Sequence, residues 1–234
     1  MCPKPALKKR ISRPAIAKDP GFWFEGSMET ENEKIGVMAD SHGRADAIAG
    51  AVALLRARGC QTLVHLGDIC DSERPETADE CVGILASAGV LCVRGNNDHW
   101  LLASREGRPA GLVSAATFAF LESLPPARRV AGAVMAHSLP FIRRMGLSSM
   151  ARPMGDVEFT LFFSENPQGV LFRGHSHAPV LSRPSFAGIT HAPLSPGEPV
   201  AVSRPLAVTC GALTRGLCVE WDPAAGLLSL LSLA

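Results

Sequence analysis

The sequence has no strong charge of either sign, no apolar stretch long enough for a membrane and no CxxC pair, and each lack removes a class of protein. Lys and Arg number 23 against 22 Asp and Glu, a formal net charge of +1, so no global field draws the chain to nucleic acid or to a membrane. The N-terminal 34 residues hold a basic cluster, Lys8, Lys9, Arg10 and Arg13, but lack the apolar core of ~7–15 residues that a secretory signal needs. The C-terminal GLLSLLSLA falls short of the ~20 residues that span a bilayer as a helix. Seven cysteines (Cys2, Cys60, Cys70, Cys81, Cys92, Cys210 and Cys218) are odd in number and scattered, which argues against a disulfide framework and a structural zinc site. A reducing, cytoplasmic setting is expected, and no internal repeat is present.

What remains suits one α/β domain: 234 residues, 47% of them hydrophobic, can bury a sizeable core. Residues 1–34 mix Pro, Lys, Arg and Glu without periodicity and read as a mobile extension, leaving 35–234 as the domain. From Ile35 onward, short apolar runs alternate with amphipathic segments. The runs IGVMA (35–39), TLVHL (62–66), VLCVR (90–94), AGAVMA (131–136) and GVLFR (169–173) read as strands. Helices are expected over ADAIAGAVALLRARG, TADECVGILASAG and EFTLFFSE, the first two closed by Gly59 and Gly89. This alternation implies a largely parallel layered sheet. LAVTCGAL, RGLCVEWD and GLLSLLSL read as consecutive antiparallel strands, the last two joined by a DPAAG turn.

Each of the five strands ends in polar residues that are costly to bury alone. Asp40 and His42 follow the first, Asp68 the second, Asn96 the third, His137 the fourth, and His175 and His177 the fifth. Carboxyl ends of strands form the ligand crevice of open α/β sheets, so seven N and O donors should meet in one place. Two aspartates, one asparagine and four histidines suit Mn, Fe, Zn or Ni, manganese first, and are too rich in nitrogen for dedicated Mg or Ca. A single hydrolytic zinc uses three protein ligands, so seven donors imply two divalent transition-metal ions, ~3.5–4 Å apart, that activate water against a phosphoryl group. Gly43, Gly67, Gly95 and Gly174 beside the donors would let the backbone turn tightly.

The blocks DSH, GD, GNND, AHS and GHSH, in that order over residues 35 to about 215, resemble the signature of the calcineurin-like metallophosphoesterase superfamily, and the short chain resembles its small YfcE-type phosphodiesterases. That resemblance implies a four-layered α/β/β/α sandwich with a dinuclear centre at its edge. It implies one ion on Asp40, His42 and His177, another on Asn96, His137 and His175, and Asp68 bridging them. It also implies metal-dependent hydrolysis of a small phosphorylated substrate, a phosphodiester before others.

The departures from that pattern are specific. Where many members have GNH, with a histidine that protonates the leaving group, this chain has Asn97, and His99 is the one nearby substitute. The arginine of the protein-phosphatase motif GDxxDRG is replaced in GDICDSE by Ser72, with Glu73 after it, which argues against phosphoprotein substrates. VTCGAL stands in place of an NPGS-like turn, and the Pro-rich residues 181–204 read as a long excursion able to cover the metals. His65 reads as a packed core histidine, His191 as exposed, Arg94 and Arg173 as strand-closing arginines, and Cys70 as small core filling. A non-catalytic scaffold on the same fold and a nuclease are the competing functions. Filled ligand positions argue against the first, and the absence of a basic face or added domain argues against the second.

Overall fold

Residues 33–233 are described in the computed structural model. The chain first lays down three parallel strands, β1 (Ile35–Met38), β2 (Thr62–His65) and β3 (Leu91–Cys92), linked by α1 (Ala45–Ala57) and α2 (Ala78–Ser87). After α3 (Asn96–Ala103) and α4 (Ala115–Ser123) it crosses to a second sheet. There β4 (Ala127–Val130) and β5 (Ala133–Ala136) form a hairpin, and α5 (Ile142–Met145) and α6 (Asp156–Glu165) lead to β6 (Val170–Arg173), parallel to β5. The strands β7 (Val180–Ser185), β8 (Gly188–Pro193), β9 (Val200–Ala201), β10 (Leu206–Thr209), β11 (Leu217–Asp222) and β12 (Leu227–Ser232) complete two six-stranded sheets, ordered β3-β2-β1-β11-β12-β9 and β4-β5-β6-β10-β7-β8.

Side-chain alternation along each strand decides the layering. Ile35 and Val37 of β1 and Val64 of β2 turn inward to meet Met135, Phe172, Val208 and Trp221 between the sheets. The opposite face of the first sheet, with Met38 and Leu63, packs on Ile48 and Leu55 of α1 and on Cys81 and Leu85 of α2. Val134, Leu171 and Ala207 on the outer face of the second sheet receive Phe159, Phe162 and Phe163 of α6. The result is the four-layered α/β/β/α sandwich, with central strands buried on both faces.

Two expectations change. The three C-terminal runs are strands, but β10 joins the second sheet, parallel to β6, while β11 and β12 form an antiparallel hairpin in the first sheet, turned by Asp222, whose Oδ1 accepts from Ala225 N at 2.8 Å. Both sheets are therefore mixed. The Pro-rich excursion contains the β7–β8 hairpin on the edge of the second sheet. Pro184 is tolerated because β10 pairs β7 only through Val180, Leu181 and Ser182, and Pro193 lies in the edge strand β8, where a missing N–H breaks no ladder. The hairpin packs on α6, where His191 Nε2 lies 2.9 Å from Asp156 Oδ1.

The expected N-terminal extension, residues 1–34, lies outside the described residues except for Glu33 and Lys34. Lys34 is tied to the domain: its Nζ donates to Glu220 Oε1 at 2.8 Å and its backbone N to Gln61 Oε1 at 3.0 Å. No helix among the described residues is long and apolar enough to cross a membrane.

Candidate metal centre

The seven predicted donors converge at the carboxyl ends of β1, β2, β5 and β6 and the first turn of α3. Reaching that place bends the backbone: Asp40, His42, Asp68, His175 and His177 all take positive φ, between 44° and 68°, and Ala131 is the one other non-glycine to do so among the described residues. Left-handed backbone on side chains with a Cβ is uncommon and concentrates where a site requires it. Here it lets strands that run outward fold their side chains back over the sheet edge.

The donors form two facing groups. On one side His42 Nε2 lies 3.2 Å from His177 Nε2, and His177 Nε2 lies 3.6 Å from Asp40 Oδ1. On the other, His137 Nε2 is 3.0 Å from Asn96 Oδ1 and 3.2 Å from His175 Nδ1. Asp68 faces both, with Oδ2 3.7 Å from His42 Nε2 and Oδ1 3.5 Å from His137 Nε2. Asp40 belongs to both compact three-residue groups, Asp40–His42–His177 and Asp40–Asp68–His137. Asp40 and His137 are fully buried and Asp68 is nearly so.

The spacings of these contacts fit metal ions. His137 Nδ1 donates to Leu66 O at 2.9 Å, which aims its Nε2 at the side chain of Asn96, 3.0 Å from Oδ1. An imidazole nitrogen and an amide oxygen are both ligand atoms for a divalent transition metal. Ligands on a metal at ~2.1 Å, spread by about 90–110°, stand roughly 3.0–3.4 Å apart, close to the spacings found. The Leu66 contact is also the outer hydrogen bond that orients a metal-binding imidazole.

The charges are consistent with this. Burial by itself would raise Asp40, but His177, His137 and the His175 N–H keep its carboxyl below the ordinary range. The same carboxylate raises His177, while burial and then His137 lower His175.

Close backbone approaches explain two of the predicted glycines better than turning does. A Cβ on Gly95 would stand 2.2 Å from Asp68 Oδ1, and one on Gly174 would stand 2.7 Å from Asp40 Oδ2. Gly43 and Gly67 do adopt positive φ, as a tight turn requires.

The other predicted residues sort clearly. Asn97 lies on Asp68, its backbone N donating to Oδ1 and its Nδ2 to Oδ2, each at 2.8 Å, while Ser72 Oγ donates to Asn97 Oδ1 at 2.9 Å. His99 is half-buried beside Trp100, ring centroids 6.1 Å apart, and makes no hydrogen bond to the donors. His65 is fully buried, its Nε2 3.0 Å from Ser41 Oγ and its Nδ1 accepting from Gly67 N, and burial pushes it down to about 3. His191 is exposed but engaged with Asp156 and Ser182. Arg173 braces the second sheet through Ser138 and Thr209, Arg94 holds the Leu121 carbonyl, and Cys70 is buried.

Sequence reasoning missed Asp98. Fully buried, it accepts four backbone N–H groups: Oδ1 from Ile69 and Cys70, Oδ2 from Asp68 and Gly95, at 2.9–3.0 Å. It thereby locks the loop carrying Asp68 to the loop carrying Asn96. Burial and then the charge of Asp68 push its carboxyl up to about 6. The acid in GNND was the available signal, and its bond to Gly95 is a local helix cap, but its other three partners are backbone groups some thirty residues away, with no pattern of their own.

A family profile described as the calcineurin-like phosphoesterase superfamily domain matches residues 34–214. Among solved structures, the chain is similar to a metallophosphoesterase from Sphaerobacter thermophilus, at 21% identity and a TM-score of 0.69 over 86% of this chain and 88% of that one. It is similar to a presumed diadenosine tetraphosphatase at 19% identity and a TM-score of 0.57, covering 86% and 94%. For the E. coli phosphoesterase YfcE the values are 16%, 0.46, 86% and 100%. A search of curated proteins finds no match. With that domain spanning most of its length and the metal-ligand blocks meeting at its sheet edge, the chain belongs to the calcineurin-like phosphoesterase superfamily.

Proposed function

We propose that the chain is a dinuclear metal-dependent phosphoesterase acting on phosphodiesters or small organic phosphates. The observation that carries this reading is the two facing donor groups, in which ligand atoms such as Asn96 Oδ1 and His137 Nε2 stand 3.0 Å apart. Asp40, His42 and His177 would hold one ion, Asn96, His137 and His175 the other, and Asp68 would serve both. Divalent ions held there supply Lewis acidity, bringing the pKa of water toward ~7 and neutralising phosphoryl oxygens.

The chain's own part is orientation. Leu66 O aims His137, Asn97 donates to both oxygens of Asp68, and Asp98 ties the Asp68 loop to the start of α3. Asn97 has no acidic proton to give, and its amide is committed to Asp68 and Ser72. The donor mixture fits manganese, with Fe, Zn or Ni as the alternatives. The six described cysteines are free and buried, which fits a reducing cytoplasm.

Metal analysis of the purified chain, with turnover of bis(p-nitrophenyl) phosphate, tests the reading. Two ions per chain and Mn²⁺-dependent turnover are expected. Asp68→Asn should lower metal occupancy and abolish turnover while the fold persists. An Asp68→Asn protein with wild-type turnover in added Mn²⁺ would refute the dinuclear reading.

A further inference from the structure

Beyond the donor cluster, on the Asp68 flank, a chain of contacts leads to a guanidinium. Asn97 holds Asp68, Ser72 Oγ holds Asn97, and Arg108, from the loop after α3, donates through Nη2 to the backbone oxygen of the same Ser72. Arg108 Nε and Nη2 also donate to Ser104 Oγ at 3.0 and 2.8 Å. Its acceptors are neutral and no carboxylate among the described residues pairs with it, in contrast to Arg44 with Asp46, Arg58 with Glu220 and Arg74 with Asp71. Its Nη1 has no acceptor among the described residues, so a positive charge with a free donor group is held in a fixed place.

Arg108 lines an open cavity of about 310 Å³ together with Arg105, Val113, Ser114 and Phe118. Arg105 stacks over the Phe118 ring at 4.6 Å and pairs with Glu122 Oε1 at 3.5 Å, which leaves Arg108 as the unpaired cation of this cavity among the described residues. The volume is at the small end of ligand pockets, ~300–1,000 Å³, and suits one charged portion of a substrate. Three successive hydrogen bonds and the side chains between them link the guanidinium to Asp68 and put it within about 15 Å, in reach of a polyphosphate chain.

We infer that Arg108 forms a subsite for a second phosphate of the substrate, which makes a phosphoanhydride, a nucleoside or inorganic polyphosphate, the preferred substrate class. Arg108 thus restores from another element, beside Ser72, the cation that the sequence lacks at position 72. The chemistry agrees with Asn97. Hydrolysis breaks one P–O–P bridge: water's oxygen bonds to the attacked phosphorus, the bridging oxygen leaves with the second phosphate as an oxyanion, and the released proton goes to solvent. A phosphate leaving group, with a second pKa of about 6, needs no proton donor on its side of the site. An arginine there binds the leaving anion in a charge-assisted, forked geometry.

The inference rests on the phosphoesterase reading, and the experiment separates the two. Metal-loaded full-length chain is assayed on ATP, inorganic tripolyphosphate and bis(p-nitrophenyl) phosphate, and the metal-free chain is titrated calorimetrically with inorganic tripolyphosphate. In Arg108→Ala, the ratio of kcat/KM for the anhydrides to that for the aryl diester should fall about tenfold or more, the scale of one charge-assisted hydrogen bond, and tripolyphosphate binding should weaken in parallel. Arg108→Lys, which keeps the charge and a donor for Ser72, should recover part of both losses. A drop confined to ATP identifies a nucleotide site, and a drop on both anhydrides a site for the phosphate chain itself. Turnover of the aryl diester with an anhydride ratio unchanged in a folded Arg108→Ala protein overturns the subsite alone. Absence of turnover on all three substrates in the metal-loaded wild type overturns the phosphoesterase reading.

Discussion

Replacing Asp98 by asparagine keeps the shape of the side chain and removes half of its acceptors. In the native protein each carboxylate oxygen takes two backbone N–H groups, Ile69 and Cys70 on Oδ1, Asp68 and Gly95 on Oδ2. An amide retains one oxygen and turns its NH₂ toward the other pair, so two buried N–H donors lose their acceptor. Each such donor costs about 1–3 kcal/mol. Removing a charge close to Asp68 returns part of that, because the two carboxylates repel. The net expectation is a loss of about 2–4 kcal/mol, against a total of about 5–15 kcal/mol for a domain. Urea unfolding of metal-free protein should show it directly, with a melting temperature lower by about 4–15 °C. The freed donors lie on the loops that carry Asp68 and Asn96, so Mn²⁺ affinity, measured separately, should fall about 10–100-fold. A loss below about 1 kcal/mol with unchanged Mn²⁺ affinity would refute the clamp.

His65 offers a test through pH. Its ring is held near 3 in the folded protein against 6.5 when free, so the unfolded chain binds the extra proton and stability is lost as pH falls from about 6.5 toward 3. The stability advantage of wild type over His65→Gln, measured by urea midpoints on metal-free protein, should therefore shrink by about 2 kcal/mol between pH 7.5 and pH 5, and a constant difference would contradict the assignment. Gly174→Ala should cut metal occupancy even where the fold survives, because its new Cβ would stand 2.7 Å from Asp40 Oδ2; full occupancy by metal analysis would argue against it. With Asn97 unable to donate a proton, aryl diesters should be hydrolysed far better than alkyl diesters, and Asn97→His should raise alkyl activity selectively, a general acid being worth ~10²–10⁴-fold. If His99 acts instead, His99→Ala should damage the alkyl substrate alone, and a rate indifferent to leaving-group pKa in all three proteins would show another proton source.

The strands that bear the donors were legible because a buried strand needs a continuous apolar run and the costly residues at its end stand out against it. Asp40, His42, Asp68, Asn96, His137, His175 and His177 could be named, and their common destination inferred, since every one follows such a run. Helices α1, α2 and α6 were legible by their periodicity, and His65 by its place inside a strand. Periodicity gives a residue's face but not its partner. For that reason β10 was grouped with β11 and β12, although its ladder is with β6 and β7 in the other sheet. The β7–β8 hairpin was hidden because proline counts against a strand until it is known to lie where no N–H is needed.

Tertiary structure alone decided how the donors face one another, because the strands that carry them lie in two different sheets and meet only when the sandwich closes. The roles of Asp98 and Arg108 have the same origin. Each acts on backbone groups of a loop distant in sequence, Asp98 on Asp68 to Cys70 and Arg108 on Ser72. A backbone N–H or C=O is the same at every position, so nothing in the sequence marks which one a buried carboxylate or a guanidinium will find.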